Sequence, residues 1–176
     1  MPAAPLHIEL RILPPGSLLA QHVAPGDYAD CLTVEVPGSI TLGEYVAAFY
    51  TSAAFRPERW LLHLIGKGSG DADVRALADG TAQHFAAWSV EARRQDELLL
   101  RDFQHRTRSW LRVEAVSGTG ETPRTRLYFG SGVGGAGEGG SSRGAFSKVI
   151  FRLLLPFHKI YARTLLQGAA RAFSQG

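Results

Sequence analysis

From Phe85 to Val133 the chain reads as four strand-like runs in a row, and one long amphipathic helix follows near the C-terminus. That order constrains the fold more than any other feature. Phe85 to Arg93 alternates, with Trp88 and Val90 set against Ser89 and Glu91. Glu97 to Phe103, Thr107 to Val116 and Arg124 to Val133 complete the series. A period of two turns one side of each run toward a core and the other toward water. The short connections make these neighbours antiparallel. From Phe146 to Phe173 the period becomes helical. Phe146, Ile150, Leu153, Leu154, Phe157, Tyr161, Leu165 and Ala172 form one apolar stripe, opposite Lys148, Arg152, Lys159 and Arg163. Pro156 should kink this helix or mark where two meet. Gly168, on the stripe, should let a neighbour approach closely.

The N-terminal half supplies further elements. His7 to Leu13 alternates weakly and reads as an edge strand. Tyr28 to Val36 is a stronger strand, with Leu32, Val34 and Val36 on one face. Thr41 and Glu44 have capping-box spacing and start a helix carrying Tyr45, Val46, Phe49 and Tyr50. A second helix begins near Pro57 and presents Trp60, Leu61, Leu64 and Ile65. Asp71 caps a short third helix that ends at Gly80. The whole predicts an α+β fold: an antiparallel β-sheet, two to three helices from the N-terminal half, and a long C-terminal helix packed across the sheet. Residues 134–144 are dominated by glycine and serine and are expected to form a flexible loop.

At 176 residues the chain is expected to be a single domain, residues 1–176. A net charge of +3 is too small to argue for nucleic acid. One cysteine, Cys31, excludes an internal disulfide and any cysteine-cluster zinc site. The six histidines have no metal-ligand spacing, so no metal is expected. The first residues lack a secretory pattern, and the apolar run from Val149 to Phe157 is broken by Arg152 and Pro156. No membrane span is expected, and the protein reads as cytoplasmic. Gly130-Ser-Gly-Val-Gly-Gly135 matches the dinucleotide fingerprint, but a glycine-rich tract does so by chance and no βαβ unit surrounds it. No cofactor is expected.

Asp102 is the carboxylate that stands out, at the end of a strand beyond Leu98 and Leu100. Two hairpin registers are open. A turn symmetric about His105 sets Asp102 opposite Arg108 and Leu100 opposite Trp110. A two-residue loop at Gln104-His105 instead sets Asp102 opposite Thr107 and Arg108 opposite Arg101. Arg106, Arg108, Trp110, Arg112, Arg124 and Arg126 could make a basic face of the kind that stacks nucleic acid. An ordinary solvent face with Glu97 and Glu114 nearby explains them better. Cys31 reads as a small core residue. His158 reads as a helix-face residue flanking the inward stripe.

Tyr28 to Pro37, Leu98-Leu-Leu-Arg-Asp-Phe103, Arg106-Thr-Arg-Ser-Trp110 and Thr125-Arg-Leu-Tyr-Phe-Gly130 resemble a bacterial family of short single-domain proteins to which no chemistry is attached. The order of elements is similar to the START-like (SRPBCC, helix-grip) superfamily, although about five clear strands stand where six or seven are usual. That resemblance implies a cavity between sheet and last helix that binds lipids, sterols or polyketides, with cyclisation or hydrolysis in some members. The expected ligand is a small apolar or aromatic molecule. Its walls would be Trp88, Leu100, Trp110, Phe129, Phe157 and Tyr161, with Asp102, Arg108 and the Tyr161 hydroxyl as polar anchors. Two other readings stay open. One is a cyclase- or hydrolase-like enzyme using Asp102 as acid or base. The other is a pocketless module that forms a homodimer through the sheet edge or last helix.

Overall fold

The computed structural model describes residues 6–24, 27–57, 66, 68–116, 123–133 and 159–174. Among the described residues seven strands run β1 (Glu9–Leu10), β2 (Tyr28–Pro37), β3 (His84–Phe85), β4 (Trp88–Arg93), β5 (Glu97–Asp102), β6 (Thr107–Val116) and β7 (Arg124–Val133). They form one antiparallel sheet in the order β1-β2-β7-β6-β5-β4-β3. The described helices are α1 (Leu18–His22), α2 (Leu42–Thr51), α3 (Asp71–Ala78) and α4 at 159–171. The fold is α+β, with the C-terminal helix packed across the sheet. The expected helix with Trp60, Leu61, Leu64 and Ile65, the 134–144 loop and the Phe146–His158 stretch lie outside the described residues.

Local chemistry explains most element boundaries. Thr41 and Glu44 form the capping box: Thr41 Oγ1 accepts from the Glu44 N–H, and Glu44 Oε2 accepts from the Thr41 N–H. The cap of α3 lies one residue earlier than expected. Gly70 is the N-cap and Asp73 Oδ2 accepts from its N–H, while Asp71 is the first helical residue. The expected strand from Phe85 to Arg93 is split in two. Phe85 pairs with Trp88 around Ala86-Ala87, and Ala86 takes φ 52° to make that turn. Without glycine, asparagine or aspartate there, nothing in the sequence marks it.

The sheet separates two apolar layers. On the inner face, Leu32, Val34, Val36, Leu98, Leu100, Leu111, Leu127 and Phe129 pack with Tyr45, Phe49 and Tyr50 of α2, Val74 and Leu77 of α3, and Leu165, Leu166 and Ala169 of α4. Burying each large aliphatic side chain stabilises the fold by roughly 1.5–3 kcal/mol. On the outer face, Cys31, Leu99, Trp110 and Tyr128 pack with Leu18 and Leu19 of α1. A five-residue helix is too short to persist alone, and the sequence reading does not contain it. Its seat is made by Gly130 and Gly132 of β7. A Cβ on Gly130 would lie 2.8 Å from Trp110 and 2.9 Å from Leu19, and one on Gly132 would lie 2.9 Å from Leu19. Gly130 and Gly132, the first two glycines of the dinucleotide-like run, therefore serve packing within a strand. Gly168 does what its position suggested: a Cβ there would sit 3.1 Å from Ala54 and 3.2 Å from Ser52.

Candidate functional site

A cavity of about 240 Å³ lies on the inner face where β6 and β7 meet α2 and α4. Phe49 and Tyr50 from α2 and Phe55 just beyond it form one wall. Trp88, Phe129 and Val133 come from the sheet, and Tyr161, Ala162 and Leu165 from α4. The aromatic rings brace one another. Phe49 lies 4.9 Å from Phe129 and 5.1 Å from Tyr50, and Tyr50 lies 5.0 Å edge-on to Phe55, all between ring centroids. The polar part of the lining is a group of hydroxyls: Thr107 and Ser109 on β6, and Ser131 on β7 directly across from Ser109. Behind Ser131 stands Asp30 on β2, only 9% exposed. Its Oδ1 accepts from the Ser131 hydroxyl at 2.6 Å and from the Ser131 main-chain N–H at 3.0 Å. Its Oδ2 accepts from the Tyr28 hydroxyl at 2.8 Å. Burial, together with this bond to a carboxylate, pushes the Tyr28 hydroxyl well above its ordinary pKa.

The expected site residues divide by face. Trp88, Phe129 and Tyr161 line the cavity. Leu100 is buried on the same face but packs into the apolar core beside it. Trp110 is on the opposite face. The hairpin adopts the register that pairs Arg101 with Arg108, Leu100 with Ser109 and Leu99 with Trp110. Trp110 therefore points with Leu99 toward α1, where its Nε1 donates to Glu97 Oε2 at 2.7 Å. Arg108 follows the same alternation. Its guanidinium is held on the outer side by Glu91, Nε to Oε2 at 2.7 Å and Nη2 to Oε1 at 3.1 Å, so it offers the cavity main chain rather than charge. Asp102 is not in the lining. Its Oδ1 accepts from the N–H groups of Arg106 and Thr107 and closes the β5–β6 turn, in which His105 takes φ 58°. That leaves the acid–base reading without its residue. Phe157 lies outside the described residues.

The basic face is neutralised within the sheet. Glu35 and Glu114 flank Arg126, Asp96 and Glu114 flank Arg112, and Glu35 also meets Arg124. Alternating signs across neighbouring strands fit a solvent face rather than a phosphate track. Cys31 is fully buried in the outer layer, and burial together with the Asp30 charge pushes its thiol up to about 12. At neutral pH it stays a thiol. No metal-holding cluster occurs among the described residues, and no described helix is long and apolar enough to cross a membrane.

The sequence reading missed Asp30, Ser109 and Ser131 as site residues. Asp30 did leave a signal. It shares strand parity with Leu32, Val34 and Val36, and an acid on an otherwise apolar strand face calls for a buried partner. The two serines left none, because their meeting depends on the β6–β7 register. No protein-family model, no curated protein and no solved structure matches this chain, so its function is argued from the cavity itself.

Proposed function

We propose that this protein binds a small apolar or aromatic molecule in the cavity under α4, as a START-like (helix-grip) domain. The observation that carries the reading is the cavity itself: about 240 Å³ walled mainly by Phe49, Tyr50, Phe55, Trp88, Phe129 and Tyr161, with a few hydroxyls to one side. Mostly apolar concave sites with few polar groups are the usual form of small-molecule pockets. The volume is below the roughly 300–1,000 Å³ of most such sites, so the ligand is small, on the scale of one substituted ring. A pocketless module would have that space filled with side chains.

Thermal unfolding against short-chain lipids and single-ring aromatics tests the proposal. A ligand at about 100 times its Kd stabilises by roughly 2.7 kcal/mol, a readily measured rise in Tm. Ala162→Phe, which drives a ring into the cavity from α4, should abolish the rise. A ligand whose stabilisation survives that substitution binds elsewhere, and no stabilisation by any compound removes the proposal.

A further inference from the structure

We propose that β1 is a docking edge for a second copy of this chain, joining two sheets through antiparallel β1 strands about a two-fold axis at Leu10. Among the described residues β1 ends the sheet. Leu10 stands directly opposite Leu32, while the Arg11 N–H donates to the Cys31 carbonyl at 2.8 Å. Bonded and non-bonded pairs alternate along an antiparallel ladder, so Leu10 turns its main-chain N–H and C=O away from β2. An edge of that kind is a template for another strand. Its side chains do not protect it. Leu10 is 62% exposed and Ile12 92% exposed, although they follow at two-residue spacing from Ile8, which packs against the inner core. Glu9 and Arg11 alternate with them, and Arg11 Nη2 lies 2.8 Å from Glu9 Oε2. Opposite charges on either side of one apolar residue complement themselves when the strand is reversed. An axis at Leu10 sets Glu9 opposite the partner's Arg11, and Arg11 opposite the partner's Glu9. It also sets Leu10 against the partner's Leu10 and Ile8 against the partner's Ile12, on one apolar side. An axis at Glu9 or at Arg11 would instead set like charges face to face, which is destabilising. Pro14, with no N–H, limits the ladder. The contact is isologous and closes on itself as a dimer. Residues 8–12 of each copy are far fewer than the roughly 20–30 a side of a standard interface, so the dimer dissociates on dilution.

Sedimentation velocity of the full chain at low salt, from about 1 μM to about 1 mM, reads the assembly. The expected result is a monomer at the low end and twice that mass at the high end. Glu9→Arg and Arg11→Glu should each weaken self-association by about tenfold or more, because each sets like charges opposite one another across the axis. Mixing the two variants should restore association to near that of the unaltered chain. In the mixed dimer every charge at positions 9 and 11 meets its opposite across the axis, while within each chain the two positions still carry like charges. The mixture therefore separates pairing between copies from the Glu9–Arg11 bond inside one copy. Leu10→Asp, at an exposed side chain in the middle of the contact, should abolish the dimer. Circular dichroism establishes that the variants are folded; if the charge variants are not, the concentration series on the unaltered chain and on Leu10→Asp decides. A monomer at every concentration overturns the proposal. So does a dimer that the single charge reversals leave intact, or a mixture of the two that stays monomeric.

Discussion

Glu97 shows how much a single side chain can organise. It is buried in the outer layer, and its Oε2 accepts from both the Trp110 indole and the main-chain N–H of Leu18, at the start of α1. Its Oε1 meets Arg94, which also donates to the Gly16 carbonyl. One carboxylate thereby ties β5, β6 and α1 together. Glu97→Ala would orphan two buried donors, each costing about 1–3 kcal/mol; urea unfolding should show a loss of about 2–6 kcal/mol, with α1 losing hydrogen-exchange protection first. Gly130 is the second residue on which this layer depends. Gly130→Ala places a methyl against Trp110, Leu19 and the Asp30 carbonyl, 3.0 Å away. Overpacking of this kind costs about 1–3 kcal/mol, and denaturant titration should show it with an unchanged m-value.

Among the elements, α4 decides whether there is a cavity at all. Its inward residues Ala162, Leu165, Leu166, Ala169 and Ala170 are buried, while Lys159 and Arg163 face out, as the stripe implies. Ala172 departs from the stripe: the helix ends at 171, and Ala172 is exposed in the following turn. Close contact with Ser52 and Ala54 depends on Gly168. Gly168→Val should cost more than 1 kcal/mol, because the gain in helix propensity of a few tenths is outweighed by a branched side chain with nowhere to go. Thermal unfolding measures the cost, and a weakened ligand response in the same variant would show that α4 seating shapes the cavity. The β5–β6 hairpin illustrates a different sensitivity. Its two candidate registers place Trp110 on opposite faces, and the turn closed by Asp102 selects the one that removes Trp110 and the Arg108 guanidinium from the site.

For the molecule as a whole, the outer ion pairs make stability depend on acid. Burial works to raise the Glu91 carboxyl, but the two-pronged bond from Arg108 and its charge outweigh that and hold it below the ordinary range. The Tyr128 hydroxyl holds Glu114 low as well, helped by Arg112 and Arg126 and opposed by burial. Groups lowered on folding contribute stability above their unfolded pKa and lose it as pH falls through the folded value. The free energy of unfolding should therefore change little from neutral pH down to about 5, then fall below about 4.3. Urea titrations across that window read it, and Glu91→Gln should flatten the slope; an unchanged slope would mean that other carboxylates carry the acid response.

Much of this architecture can be read from pattern, because periodicity and turn chemistry are local. The runs Glu97–Asp102, Thr107–Val116 and Arg124–Val133, the capping box at Thr41 and Glu44, and the inward side of α4 each follow from residues within a few positions of one another. What stayed hidden is non-local. The helix α1 is too short to announce itself and exists because Glu97, Trp110 and two β7 glycines receive it. The cavity and its polar wall arise where β2, β6 and β7 bring Asp30, Ser109 and Ser131 together from positions 22 to 101 residues apart. Sequence by itself determined which side chains could be apolar walls. Only the tertiary structure decided which of them share a face, since a register shift of one residue turns every side chain of a strand to the other side.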